Sequence, residues 1–407
     1  MHILFITDNF YPESNAPAIR TYQHCKYWAS KGHKITVITS APNFPEGVVY
    51  DGYKNTLRQK EMIDGIEVWR VKTFIAQNKG NIFRTIDYLS FMISSLFFGL
   101  FVKKPDIVVG TSPQFFTIIS AWLLAKIKKR KFVFELRDLW PSSIVAVGAM
   151  NDNFVIKFLS KIENFLYKQA DLIVPVTKSF KKVLVERGIS KDKIQVVYNG
   201  TDTESFKPSK QKDPALLEEL NLIDSFVFGY IGTHGMAHGL ENIINAAEKL
   251  KNYSDIKVIL IGDGAEKQNL MLLAKMKNLD NVIFISKKNH SEIKKYLRLC
   301  DISIVHLKNE DEFRNVIPSK IFESASMAIP ILISVPKGEA TSMIESNQCG
   351  ITCKPMSSKH LAEAMLQLKN NKPNTEFSKN CIEFSKKFER KNLAQEMLDH
   401  LIKISGT

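Results

Sequence analysis

The apolar residues of this chain fall in short unbroken runs rather than in alternation. In the first half the runs are "ILFIT" (3–7), "KITVITS" (34–40), "IEVWRV" (66–71), "DIVVGT" (106–111), "KFVFEL" (131–136), "DLIVPV" (171–176) and "IQVV" (194–197). Continuous Val/Ile runs suit strands covered on both faces, as in a parallel sheet. Stretches of helical spacing lie between them. One, "YQHCKYWASKGHK", predicts a helix that stops at Gly32.

The pattern restarts after "VVYNGTDTESFKPSKQKDPALLEEL", whose Asn199-Gly200, Pro208, Pro214 and scattered charges mark a linker. New runs follow: "FVFGYIG" (226–232), "IKVILIGDG" (256–264), "VIFIS" (282–286), "DISIVHL" (301–307) and "IPILISV" (329–335). The pattern predicts an α/β protein of two doubly wound, Rossmann-like parallel-sheet domains. We place them at 1–200 and 201–375, with a helical segment over 376–407 positioned to cross both. Doubly wound sheets bind ligands beyond the carboxyl ends of their strands, so two such domains facing each other predict a cleft. A length of 407 residues agrees with two cores.

Charge adds a partner. The net charge is +14, and residues 1–200 hold 28 Lys+Arg against 16 Asp+Glu, or +12. A positive field confined to one half suggests an anionic partner there, of which an acidic membrane surface is one. In the same half, "TIDYLSFMISSLFFGLF" (85–101) is marginal for a membrane span, which needs ~20 predominantly apolar residues. The plain expectation is a helix buried in the first core; the functional one is a helix lying in a bilayer surface. We expect membrane contact without a span. The start "MHILFITDNFYP" carries Asp8 in its apolar run and does not resemble a signal peptide. Five cysteines without a framework fit a reducing compartment.

The candidate chemistry centres on "NVIPSKIFESASMAIPI" (315–331), where Glu323 stands in an apolar setting. Pro318 suits a helix start, Ser319 can cap it, and helix-first N–H groups bind phosphate. Lys320 adds a cation. Glu323 lies roughly 5 Å further along the axis and can accept both hydroxyls of a ribose diol. From spacing alone, an exposed Lys320–Glu323 pair explains these residues equally well. Two glycine turns favour the ligand: "YIGTHGMAHGLE", with Gly232, Gly235 and Gly239, and "VILIGDGAE", with Gly262 and Gly264. Glycine lets a backbone approach phosphate closely. Neither turn matches G-x-G-x-x-G or a P-loop, which disfavours NAD and ATP. Histidines such as His234 and His238 in a turn of this kind are more often bystanders than ligands, though either could donate to a phosphate when protonated.

Together these segments resemble the donor half of the family 4 retaining glycosyltransferases, which have the GT-B fold. "FYPESNAPAIRTYQHCKYWASKGHKITVITSAPNFPEG" and "FELRDLWPSS" are similar to the bacterial subgroup that builds O-antigens, capsules and colanic acid, including the WbuB-type L-fucosaminyltransferases. The resemblance covers almost the whole chain. It implies that Glu323 is the second glutamate of the family's E-x7-E motif and holds the nucleotide ribose. The first glutamate's position is occupied by Asn315. The family's basic pair falls near Thr233 and His238, and Lys320 replaces the missing charge on the leaving phosphate. Asp138 falls where relatives place a polar group close to the transferred sugar, unless it pairs with Arg137 beneath Trp140. Asn15 and Ala16 occupy the turn that is usually Gly-Gly near the donor phosphates. Gly232, Gly262 and Ser319 complete the donor site.

The resemblance further implies a UDP-linked nucleotide-sugar donor carrying an N-acetylated amino or deoxyamino sugar. The acceptor it implies is a polyprenyl-diphosphate-linked saccharide, at the inner face of the bacterial cytoplasmic membrane. No Asp-x-Asp occurs in the chain, so no divalent metal is expected. Two alternatives stand beside this reading. A UDP-sugar 2-epimerase or hydrolase on the same fold would need acid and base carboxylates, for which Glu13, Glu135 and Asp138 are the candidates. A basic nucleic-acid-binding module finds no zinc signature or recognition-helix pattern, and "KIKKRK" (126–131) suits a solvated helix end.

Overall fold

The computed structural model describes residues 1–75, 81–146, 153–209, 211–289, 292–370 and 375–406. The chain divides into two compact units. The first takes in Met1–Ser143, Asn151–Asn199 and Arg390–Thr407; the second takes in Ile144–Met150 and Gly200–Glu389.

The first unit is built on β1 (His2–Ile6), β2 (Lys34–Ser40), β3 (Arg58–Ile63), β4 (Ile66–Val71), β5 (Ile107–Thr111), β6 (Lys131–Leu136) and β7 (Leu172–Pro175). Their order is β3-β4-β2-β1-β5-β6-β7. All pairs are parallel except β3 with β4. The strand order reverses between β1 and β5, the place where doubly wound sheets hold ligands. Its helices are α1 (Ala16–Ser30), α2 (Asn81–Gly99), α3 (Phe115–Lys128), α4 (Ser142–Ala146), which runs across the division, α5 (Phe154–Gln169) and α6 (Lys178–Glu186). The Val/Ile runs are buried throughout, as strands with helices on both faces must be.

The second unit contains β8 (Phe226–Ile231), β9 (Ile256–Ile261), β10 (Val282–Ile285), β11 (Ile302–His306), β12 (Ile331–Ser334) and β13 (Gly350–Thr352). All are parallel, in the order β10-β9-β8-β11-β12-β13, so the reversal lies between β8 and β11. The helices are α7 (Pro214–Glu219), α8 (Glu241–Lys249), α9 (Lys267–Met276), α10 (Ile293–Leu297), α11 (Lys320–Ser326), α12 (Glu339–Ser346), α13 (Ser358–Asn370) and α14 (Thr375–Lys386). The final helix, α15 (Arg390–Ser405), belongs to the first unit. There the indole Nε1 of Trp28 on α1 donates to Ala394 O at 2.8 Å.

Several elements differ from the sequence expectation. β3 was unforeseen because its residues alternate between exposed and half-buried, without an apolar run. Asp64 (φ 48) and Gly65 (φ 80) make the two-residue turn that joins it to β4. "IQVV" is no strand; it makes a single bridge, Ile194 to Ile173. The expected linker is folded: α7 is capped by Asp213, and Leu216, Leu217 and Leu220 pack against Phe206 and Leu222 in the second core. The C-terminal stretch is two helices, α14 and α15, assigned to different units.

Residues 85–101 form most of α2, which is buried on one side only and so is not the fully buried helix of the plain expectation. Phe91 is fully buried, and buried Ser95 hydrogen-bonds Ser120 of α3 at 2.7 Å. Ile93 and Phe97, on the opposite side, are 63% and 55% exposed. No helix among the described residues is long and apolar enough to cross a membrane.

Candidate active site

In the second unit the candidate residues gather where β8 and β11 end. β8 delivers Gly232, Thr233 and His234, and β11 delivers His306. Gly232 (φ 147) leaves room for the tip of Lys320: a methyl group there would stand 2.9 Å from Nζ. The amine is buried, lies 3.6 Å from the centroid of the Tyr230 ring and has no hydrogen-bond partner among the described residues. Burial pushes its pKa down to about 7, and the charge of Glu323 only partly resists. An amine removed from water, resting on an aromatic face and bonded to nothing, is suited to receive an anion.

That geometry excludes the exposed-pair reading of Lys320 and Glu323. It also corrects the account of Ser319. This residue already has helical angles (φ −60, ψ −26) and makes no side-chain cap bond. The turn closes instead through Ile321 N to Pro318 O and Phe322 N to Ser319 O, at 3.1 and 3.0 Å. Helix α11 then spans only seven residues. Asn315 ends a 3-10 turn, Asp311–Asn315, ahead of Pro318.

The glycines act differently from the expectation as well. A methyl group on Gly262 would meet Gly232 O at 1.9 Å, and one on Gly264 would meet His234 O at 2.4 Å. These two glycines let the loops after β8 and β9 close on each other. His234 N donates to Asp263 O at 2.8 Å, which locks the same two loops. Thr233 is exposed, and its carbonyl accepts from Tyr230 Oη at 2.9 Å.

The histidines do not take the cationic alternative. Burial, helped by Lys267 and Lys320 at His234 and by Lys320 at His238, lowers His234 to about 4 and His238 to about 3. Both are neutral near pH 7. His306 Nδ1 donates to His238 O at 2.6 Å, and its Nε2 accepts from Asn242 at 2.8 Å, which fixes its tautomer. His234 is fully buried, and neither ring nitrogen has a partner among the described residues. Neither Asn242 nor His306 stood out in the sequence; a lone His closing an apolar strand run was their one signal.

A cavity of about 330 Å³ beside these loops is lined by Gly235, Met236, Glu241, Glu266 and Lys308. A larger one, about 680 Å³, lies by the outermost strand, β13, against Glu345, Thr352 and His360. We place the chemistry at the strand ends because the unpartnered Lys320 amine is there. No cluster of three His, Cys, Asp or Glu side chains suited to a metal ion occurs among the described residues.

In the first unit, Asn15 caps α1, its side chain accepting from Ala18 N at 2.9 Å, and Ala16 is the first helical residue. Asn15 has φ −74, so this turn does not call for the left-handed freedom of glycine. Asp138 follows β6, and burial raises it to about 6. It makes no ion pair with Arg137; Arg137 is lowered to about 9 by burial and by nearby Arg20. The pair actually formed is Arg20–Glu135 at 3.0 Å, both buried, with Arg20 also reaching Asn199 at 2.8 Å. Glu13 accepts from the backbone of Asn43 and Phe44 at 2.8 and 2.9 Å. Two of the three carboxylates considered for acid–base work thus hold the fold together, which weakens the epimerase alternative.

Comparison with known proteins agrees with this layout. Residues 18–205 match the family model "Glycosyltransferase Family 4", and residues 216–388 match "Glycosyl transferases group 1". The chain is 26% identical over 329 residues to the putative colanic acid biosynthesis glycosyl transferase WcaI of Escherichia coli K12, covering 79% of this chain and 80% of that protein. It is 23% identical over 284 residues to a Campylobacter jejuni enzyme, covering 69% and 72% of the two chains. That enzyme is named N-acetylgalactosamine-N,N'-diacetylbacillosaminyl-diphospho-undecaprenol 4-alpha-N-acetylgalactosaminyltransferase. The crystal structure of Anabaena Alr3699/HepE in complex with UDP-glucose superposes with a TM-score of 0.75 at 16% identity, covering 99% of this chain and 100% of that one. The chain is a glycosyltransferase, with a family 4 domain followed by a group 1 domain.

Proposed function

We propose that the enzyme moves an N-acetylated amino or deoxyamino sugar from a UDP-linked donor to a hydroxyl of a polyprenyl-diphosphate-linked saccharide. Its setting is the synthesis of a bacterial surface polysaccharide at the anionic inner face of the cytoplasmic membrane. The observation that carries the donor half is the buried Lys320 amine without a hydrogen-bond partner among the described residues, at the strand reversal of the second sheet. The acceptor and the setting draw on the C. jejuni and E. coli relatives, and UDP on the Anabaena complex.

In this reading the donor diphosphate accepts hydrogen bonds from Lys320 and restores the charge that burial suppresses. Negative charge grows on the leaving phosphate as the bond from the anomeric carbon to its oxygen breaks, and the ammonium stabilises it. His234 and His238, neutral, supply N–H groups without charge. Glu323 holds the ribose hydroxyls. Asn315 can hydrogen-bond the sugar. The acceptor oxygen attacks from the face the phosphate leaves, and a phosphate oxygen takes its proton, so the anomeric configuration is retained. Lys320 fills the cationic role, and no divalent metal is required.

A thermal-shift screen of nucleotides and nucleotide sugars tests this. UDP and UDP-linked amino sugars should raise the Tm more than ADP or GDP counterparts. Glu323→Ala should remove the nucleoside's share of that shift while the shift given by inorganic pyrophosphate persists. Equal shifts for all three bases, or an unaltered UDP shift in Glu323→Ala, would contradict the assignment.

A further inference from the structure

Large apolar side chains are not evenly exposed over the described residues. Helices α2, α3 and α5 lie side by side in the first unit, and their outer surface carries most of that unit's exposed aromatics. On α2 and the turn that follows it, Phe83, Ile86, Ile93, Phe97 and Phe101 are 42–63% exposed. Their spacing of three, four or seven residues keeps them on one face. From Phe83 to Phe97 this stripe runs about 21 Å. Phe74 stacks on Phe83, which extends it sideways. On α5, Phe154, Phe158 and Phe165 are exposed in the same manner. A contiguous apolar face of this kind signals a partner.

Charge identifies which partner. Lys103, Lys104, Lys126, Lys129 and Arg130 are exposed where α2 and α3 end, and no exposed acidic residue lies in 100–131. Lys128 ties the two ends together, donating to Leu100 O and Val102 O at 2.9 and 2.8 Å. Aromatics flanked by lysines match the boundary between headgroups and acyl chains of an anionic bilayer. The inner side of α2 is committed to the protein through Phe91 and Ser95, so the helix cannot leave to cross. Near its start, Asp87 and Tyr88 lie close enough to Asp8, at the carboxyl end of β1, for their charges to interact. The helix with the apolar stripe therefore also borders the ligand end of the first sheet.

We propose that α2, assisted by α5, lies in the surface of an anionic bilayer with the Phe83–Phe101 stripe inserted, so that a lipid-linked acceptor meets the enzyme at the Asp8 edge. This rests on the acceptor reading above and names the lipid contact itself. The test uses full-length protein and vesicles of phosphatidylcholine with and without phosphatidylglycerol, lacking any glycan acceptor, so its outcome is independent of sugar transfer. Flotation should recover the protein with the anionic vesicles, and a substantial part should stay bound in about 1 M salt, where the Debye length is ~3 Å. Phe97→Ser combined with Phe101→Ser should lower partitioning by roughly tenfold or more, with the Tm and the UDP-induced shift unchanged. Phe97→Trp should show emission quenched by lipids brominated in the acyl chain, beyond the wild-type level. Complete release by salt with an unquenched Phe97→Trp would reduce the contact to surface charge and overturn insertion. A lipid-free dimer that the double serine variant converts to monomer, without vesicle binding by the wild type, would assign the face to a second copy and overturn it too.

Discussion

Lys320 shows how a residue's environment sets its chemistry. A lysine amine on a helix surface is hydrated and charged; this one sits on the Tyr230 ring with its pKa lowered to about 7 from 10.5. The cost has a definite sign. Between those values the unfolded chain binds more protons than the folded one, so stability rises with pH across that window. Below about pH 7 the penalty is present in full. Lys320→Met should therefore stabilise the ligand-free protein near pH 7, by roughly 1–4 kcal/mol in denaturant unfolding, with the gain fading toward pH 10. A loss of stability would mean that the amine is a structural partner. The sequence brought Lys320 and Glu323 to notice but offered an exposed ion pair as an equal explanation, because spacing along a helix does not reveal which side meets solvent. Nor does sequence reveal burial of imidazoles, which is why protonated histidines stood as an alternative and neutral ones are found.

At the scale of elements, legibility follows the physical signal. Strands buried on both faces, such as β1 and β9, announce themselves as Val/Ile runs. β3 does not, because an exposed edge strand needs no apolar face; its Asp64-Gly65 turn was the available clue. Gly262 and Gly264 were visible as glycines, but only the close approach of Gly232 O and His234 O shows why they are needed. The expected helical segment over 376–407 divides between the units, and the point at which α15 returns to the first is a long-range packing event that no local pattern encodes. Its Leu401 is fully buried, alongside Met397. Leu401→Ala should cost about 2–5 kcal/mol of stability. The first unit should take that loss, seen as an earlier change in the fluorescence of Trp28 during urea unfolding. An unchanged midpoint would mean that α15 is not part of that core.

Across the whole molecule, two doubly wound sheets and two family domains fall in succession along the chain. The positive surplus is concentrated in residues 1–200, and the aromatic face of α2 and α5 lies in the same unit. The unpartnered amine lies in the second unit, at its strand reversal. Charge and apolar surface thus point the first unit toward lipid, and the buried amine points the second toward a diphosphate. The most direct test of the latter is UDP affinity of the full chain by titration calorimetry from about pH 7 to pH 9, for the wild type and Lys320→Met. The wild type should take up a proton on binding and lose affinity as pH rises, approaching tenfold per unit once Lys320 is mostly neutral. Lys320→Met should bind more weakly at pH 7, with little pH dependence and no such proton uptake. Equal affinities with the same pH profile in both proteins would contradict the account.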